Sequence, residues 1–150
     1  MNAQKLKALA LDLTKQFPRS PRETLGGYVH AGRMLDKCRA AVAGTLGEFH
    51  YNCPLDRFLL DFTGIDAEEF KAFVATGASD AEVEAWIIAH SKVKDAAQVV
   101  AWNNKMRDMR LSEMPIELQT FLEGYIPKFI PKGKVVRVWF DVYDMEEGRL

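Results

Sequence analysis

The chain has 150 residues, of which 48% are apolar, and carries 20 lysines and arginines against 21 aspartates and glutamates. That length buries roughly two thirds of the unfolded chain's surface, so one domain with a single core is expected without a disulfide or metal staple. Charge is balanced and interleaved, without the basic footprint that phosphate-backbone binding needs, and no nucleic-acid partner is expected.

Near the N-terminus, Leu6, Leu9, Leu13 and Phe17 recur at helical spacing, and Pro18 ends the pattern. Lys5, Lys7, Asp12 and Lys15 interrupt that segment, which is incompatible with a signal h-region or a membrane span, and a cytoplasmic location is expected. The next start signal is Ser20-Pro21-Arg22-Glu23, with Ser20 as N-cap, Pro21 at the first helical position and Glu23 completing a capping box. A long helix over 21–43 is predicted from it.

Leu55, Phe58, Leu59 and Phe62 recur at i, i+3, i+4 and i+7, predicting a short amphipathic helix from Pro54 to Thr63-Gly64. In the next segment Asp66 and Glu69 form a capping box, Ile65 and Phe70 a hydrophobic staple, and Gly77 a left-handed stop. Ser79 and Glu82 repeat the box before Val83, Trp86 and Ile87. Asp95 and Gln98 open a further helix whose inward line is Val99, Trp102, Met106 and Met109. Ser112 and Pro115 begin another, with Leu118, Phe121, Leu122 and Tyr125 inward and with Gly124 and Pro127 as its close. The run Ile126 to Lys134 reads as an extended connector.

The segment 134–147 carries two periods at once. Val136, Val138, Phe140 and Val142 alternate as in a strand, while Val135, Val138, Trp139 and Val142 share a helical face. No second strand is available to pair with it, so helix is preferred. The fold expected is all-α, a compact bundle of six to eight helices.

Placed at about 100° per residue, the 21–43 helix turns Leu25, Tyr28, Val29, Gly32, Leu35 and Val42 inward together with Asp36 and Arg39. Asp36 and Arg39 are i, i+3 neighbours able to pair, and Arg33, Lys37 and His30 fall at the flank or on the open side. One reading is a structural ion pair. The other is a polar pocket in which the planar forks of Arg33 and Arg39 take a carboxylate or phosphate, with Asp36 orienting them. Gly26, Gly27 and Gly32, taken as helical, mark a close approach there.

The turn Gly44 to Asp56 contributes Glu48, His50, Tyr51, Asn52 and Cys53 to that candidate site. Cys53 stands at a helix N-terminus, where a thiol pKa is lowered, and His50 lies three residues away. Against nucleophilic catalysis stand the tight turn, the donor lost at Pro54 and the lack of a cysteine-hydrolase pattern. Acid–base chemistry would use His50 with Glu48 or Asp36, and whether the site is catalytic stays open. The ordinary duties of these residues are an Asn52 cap, inward packing of Phe49 and Tyr51, and a His50 hydrogen bond to a carbonyl.

Three histidines without HxxxH, HExxH or ExxH spacing, and two cysteines, Cys38 and Cys53, without CxxC spacing, point to no metal site and to free thiols. No glycine-rich phosphate loop occurs, so no cofactor is expected. Trp86, Trp102 and Trp139 read as core anchors or interface residues.

The strings FPRSPRETLGGYVHAGRMLDKCRA, GTLGEFHYNCPLD and DFTGIDAEEF resemble a bacterial family catalogued as a domain of unknown function, number 5069 among such domains. The resemblance runs over most of the chain and implies a small stand-alone domain, with no activity to carry over. Two functions are weighed on the residues. The first is binding of a small anionic molecule between the 21–43 helix and the 44–56 turn. The second is a non-enzymatic protein-interaction or homo-oligomerisation module using the tryptophan and methionine faces.

Overall fold

A computed structural model describes residues 2–150. The protein is all-α: among the described residues there are eight α-helices, one 3-10 turn and one two-stranded ribbon. The chain divides into two units, one up to Val99 and one from Val100 on.

The first unit contains α1 (Ala3–Leu9), β1 (Thr24–Leu25), β2 (Tyr28–Val29), α2 (Ala31–Ala43), α3 (Pro54–Thr63), α4 (Ala67–Val74), α5 (Asp80–His90) and the first turn of α6 (Ala96–Arg107). Helix α2 is the axis of this unit, touching α1, β1 and α4. Every residue from Ala31 to Ala40 is buried. Met34, Leu35 and Cys38 join Leu55, Leu59, Leu60, Phe70, Val74 and Ile87 among its buried apolar side chains.

Local signals set the helix starts of this unit. Asp66 accepts from the N–H groups of Glu68 and Glu69 at 3.1 and 3.0 Å. Ser79 and Glu82 close the reciprocal box, at 3.0 and 3.2 Å. Gly64 ends α3 at φ 73, the left-handed conformation that glycine adopts without steric cost.

Two predicted helices are shorter than their apolar spacing suggests. Helix α1 stops at Leu9 because Asp12 folds the chain into a side-chain turn, accepting from Thr14 N at 3.0 Å and Thr14 Oγ1 at 2.6 Å. Leu13 is still buried, whereas Phe17 is exposed.

The predicted 21–43 helix begins only at Ala31. Its start signal does form: Ser20 Oγ accepts from Arg22 N at 3.1 Å, and Ser20 N donates to Glu23 Oε2 at 3.3 Å. It does not propagate, because Gly26 and Gly27, at φ 60 and 87, make the two-residue turn of a hairpin with Leu25 opposite Tyr28. A Cβ at Gly27 would meet nothing within 4 Å, so its requirement is conformational. Gly27→Ala is therefore expected to cost about 1–2 kcal/mol, the price of left-handed backbone alone, measurable as a lowered urea midpoint at unchanged slope.

The second unit contains the rest of α6, a 3-10 turn (Leu111–Glu113), α7 (Ile116–Phe129) and α8 (Trp139–Glu146). Its buried apolar residues include Trp102, Met106, Met109, Leu122, Trp139 and Phe140. Helix α7 runs through Gly124 and Pro127 to Phe129 rather than closing at them, so the extended connector shrinks to the residues after α7. Proline removes one donor near the helix end, and the carbonyl it leaves, that of Glu123, lies on an exposed stretch. Of the four residues expected inward, Leu122 is buried while Phe121 is 62% exposed.

The ambiguous C-terminal segment is helical over Trp139–Glu146, later than the 134–147 expected. Asp141 decides the start by accepting from Arg137 N and Val138 N at 3.0 and 3.2 Å. Trp102, Trp139 and the methionines at 34, 106, 109 and 114 are buried, while Trp86 and Met145 are half-buried, so most of the tryptophan and methionine surface lies inside. Among the described residues no helix is long and apolar enough to cross a membrane.

Candidate functional site

The polar residues of α2 serve two internal networks. In the first, Asp36 is gripped by Arg19: the Arg19 backbone N–H and Nε donate to Oδ2 at 2.8 and 3.1 Å, and Nη2 donates to Oδ1 at 3.0 Å. The other edge of Arg19 meets Asp80 at 2.9 Å, and Arg39 meets the same carboxylate at 2.9 Å while donating to the Ala78 carbonyl at 2.9 Å. Charges alternate along this chain, and the paired geometry is the strong form of arginine–carboxylate bonding. Burial works to raise the pKa of Asp80, but the hydrogen bonds from Arg19 and Arg39 outweigh it and hold the group below its ordinary value.

Asp36 and Arg39 thus take partners at Arg19 and Asp80 rather than each other. The i, i+3 pairing allowed by helical spacing yields to better-oriented partners on other segments. Arg33, buried instead of flanking, donates to the Arg19 carbonyl at 3.1 Å and lies over the Phe49 ring at 5.7 Å.

The second network centres on Asp56, in the first turn of α3 and fully buried. Its Oδ1 faces His30 Nε2 at 2.5 Å and Lys37 Nζ at 2.9 Å. Its Oδ2 accepts from Asn52 N at 2.8 Å and Cys53 N at 3.4 Å. Lys37 spends its remaining donors on the His50 carbonyl and on Cys53 Sγ, each at 3.0 Å. Four acceptor positions on the carboxylate and three donors on the ammonium are all engaged.

His30 also sits in the left-handed region at φ 70, uncommon for a residue with a side chain, because it joins the hairpin to α2. Burial pulls its pKa down to about 4 against the opposing pull of Asp56, so the imidazole is neutral at pH 7. A carboxylate only accepts, which places the proton on Nε2 and leaves Nδ1 as a buried acceptor without a partner. For Asp56, burial acts upward, yet the His30 hydrogen bond and the Lys37 charge hold the carboxyl far below the usual range.

The 44–56 turn is divided by this arrangement. Glu48 and His50 are exposed, and His50 enters the network through its backbone carbonyl. Tyr51 stacks beside Phe70 and donates its hydroxyl to the Ala67 carbonyl at 2.7 Å, and burial pushes its pKa up. Asn52, exposed at φ 64, accepts from Arg57 Nη1 at 3.3 Å instead of capping α3 with its side chain. Both cysteines are free, and burial pushes the Cys38 thiol up to about 12.

The structure therefore brings Arg33, Asp36 and Arg39 into one network and Cys53 and the backbone of Asn52 into the other, while the Glu48 and His50 side chains stay outside. Helical spacing puts His30 and Lys37 at the flank or open side, but α2 is buried all round from Ala31 to Ala40 and His30 precedes it at the end of the hairpin; Asp56, on a different helix, falls outside that reading. The signal available was Asp56 itself, an acid three residues after Cys53 in the position of a capping box.

Two depressions occur elsewhere on the first unit. One of about 290 Å³ is lined by Arg57, Leu60, Asp61, Gly64, Ile65 and Asp66, and one of about 150 Å³ lies beside Tyr28, Ile88 and Val93. None of the eight candidate residues lines either. Among the described residues no group of three or more histidine, cysteine, aspartate or glutamate side chains is placed to hold a metal ion.

A search of curated proteins gives no match. The family model described as "Domain of unknown function (DUF5069)" matches residues 15–149, nearly the whole chain and both networks, and the protein belongs to that family.

Proposed function

We propose that this protein is a non-enzymatic interaction module whose docking face is α7. The observation that carries this reading is a row of aromatic rings on that helix. Phe121 and Phe129 are 62% and 53% exposed, and Tyr125 stands between them with ring centroids at 5.6 and 4.4 Å. The rings meet at tilted angles; Tyr125 is half-buried with its hydroxyl on Glu146, and the outer two face water. Exposed phenylalanines set one turn either side of a tyrosine are characteristic of a partner surface, since aromatic side chains dominate interface energetics.

The rival reading, a small anionic ligand held by Arg33, Arg39, His50 and Tyr51, is less well supported. Arg39 would have to leave Asp80 and the Ala78 carbonyl, and Tyr51 the Ala67 carbonyl, before either could meet a ligand. Releasing buried, charge-assisted bonds costs several kcal/mol that binding would first have to offset.

The test is a joint Phe121→Ser and Phe129→Ser replacement. Because both rings are more than half exposed, folding stability should change by less than about 1 kcal/mol, while any association through α7 is lost in cross-linking and light scattering. A loss of several kcal/mol in a denaturant titration would show that the rings are structural and would remove the proposal. A metabolite that raises the melting temperature of the wild type and not of His50→Ala would favour the ligand instead.

A further inference from the structure

Helix α7 carries a second pattern that its aromatic row does not explain. Glu117, Phe121, Gly124 and Lys128 are spaced four, three and four residues apart, the spacing of a two-helix seam, and all four are exposed. Gly124 is the odd member. Glycine inside a helix costs about 1 kcal/mol relative to alanine. A Cβ there would meet nothing within 4 Å, and the residue is not in the left-handed region, so neither crowding within the chain nor backbone conformation requires it. Its missing side chain leaves a hole on the open side of the helix, one turn from the exposed Phe121 ring.

The charges give the seam a direction. Glu117 lies one turn before Phe121 and Lys128 one turn after Gly124, and the two charges are equidistant from the midpoint between residues 122 and 123. A parallel copy would set Glu117 against Glu117 and Lys128 against Lys128. An antiparallel copy sets each glutamate against a lysine and each phenylalanine against a glycine. The pattern is self-complementary in one orientation only, as a two-fold symmetric interface demands.

We infer that α7 pairs antiparallel with α7 of a second copy of this chain, Phe121 of each copy seating over Gly124 of the other and Glu117 facing Lys128 across the two-fold axis. This rests on the reading of α7 as a docking face and names its occupant. Gly124 lets the two backbones approach closely, so the Phe121 ring is desolvated against main chain. The flanking charge pairs sit at the rim, where they select orientation more than they add affinity.

The experiment is charge reversal followed by sedimentation over a range of concentrations. The wild type is expected to dimerise. Glu117→Lys alone and Lys128→Glu alone should each weaken the dimer roughly a hundredfold, because each creates two like-charge contacts per dimer. An equimolar mixture of the two single variants should recover it, since both contacts then join opposite charges, and so should both reversals in one chain. All these sites are exposed, and unchanged melting temperatures will verify that each variant is folded.

A monomeric wild type, or a dimer that neither reversal weakens, overturns the inference. A photo-reactive benzophenone side chain at Phe121 separates this from failure of the broader reading. A cross-link to another protein with none to a second copy sinks the self-pairing and leaves the docking face standing. No cross-link to any protein, with a monomeric wild type, sinks both.

Discussion

Replacing Asp56 with alanine is expected to cost about 3–5 kcal/mol of folding stability, the amount lost when one member of a buried ion pair is removed and the other charge is left uncompensated. The two oxygens of Asp56 receive His30, Lys37 and the N–H groups of Asn52 and Cys53, all within 3.4 Å. Without it the Lys37 ammonium keeps only a carbonyl and a thiol as acceptors in a buried site. In a thermal melt the loss would appear as a fall on the order of 10 °C for a chain of this size.

A double-mutant cycle separates the pair from mere packing. Lys37→Met in the wild type should be strongly destabilising, because it strands the carboxylate. The same change in an Asp56→Asn background should be much milder, giving a coupling of roughly 1–3 kcal/mol between neighbours in one network. Additive costs would show that Lys37 and Asp56 do not act as a pair. Should Asp56→Ala fail to accumulate as folded protein, the Asn variant and the cycle still measure the interaction.

Acidification is expected to remove about 2 kcal/mol between pH 7.5 and pH 5, before ordinary carboxylates titrate. The cause is His30, whose pKa is drawn from 6.5 to about 4 by complete burial. In that interval the unfolded chain takes up a proton that the folded chain excludes, so stability falls as pH falls. Asp56 and Asp80, both held below their ordinary values, add a further loss at lower pH, since their contribution is present above the unfolded pKa and disappears on protonation. Glutamine at position 30 can donate from its amide to Asp56 without titrating. His30→Gln should therefore flatten the stability profile between pH 7.5 and 5, and a profile as steep as that of the wild type would show that the acid sensitivity lies elsewhere.

Much of the fold was legible because its determinants are local. The α3 boundaries, the Asp66 cap and the Ser79–Glu82 box each depend on residues within four positions of one another. The same locality misled at Ser20-Pro21-Arg22-Glu23, where a well-formed start signal is followed by two glycines that favour a tight turn over helix propagation. It misled again at α7. Of Leu118, Phe121, Leu122 and Tyr125, expected inward by helical spacing, Leu122 is buried, Leu118 and Tyr125 are half-buried and Phe121 lies largely in water.

The candidate site was half legible for the same reason. Burial of Asp36 and Arg39 followed from helical phase, and a structural ion network was one of the two readings open to them. Their partners did not follow: Arg19 lies 17 residues before Asp36, and Asp80 lies 41 residues after Arg39. His30 and Asp56 are 26 residues apart, joined only because the hairpin turn and the 44–56 loop bring the start of α2 against the start of α3.

By itself the sequence determined the helical class, most helix starts and the polar character of α2, because capping, periodicity and glycine stops act over one or two turns of chain. Only the tertiary structure decided which charge meets which, that His30 is buried and neutral, and which face of α7 is left to water. Those outcomes depend on desolvation and on distances between segments far apart in sequence, which no local pattern encodes.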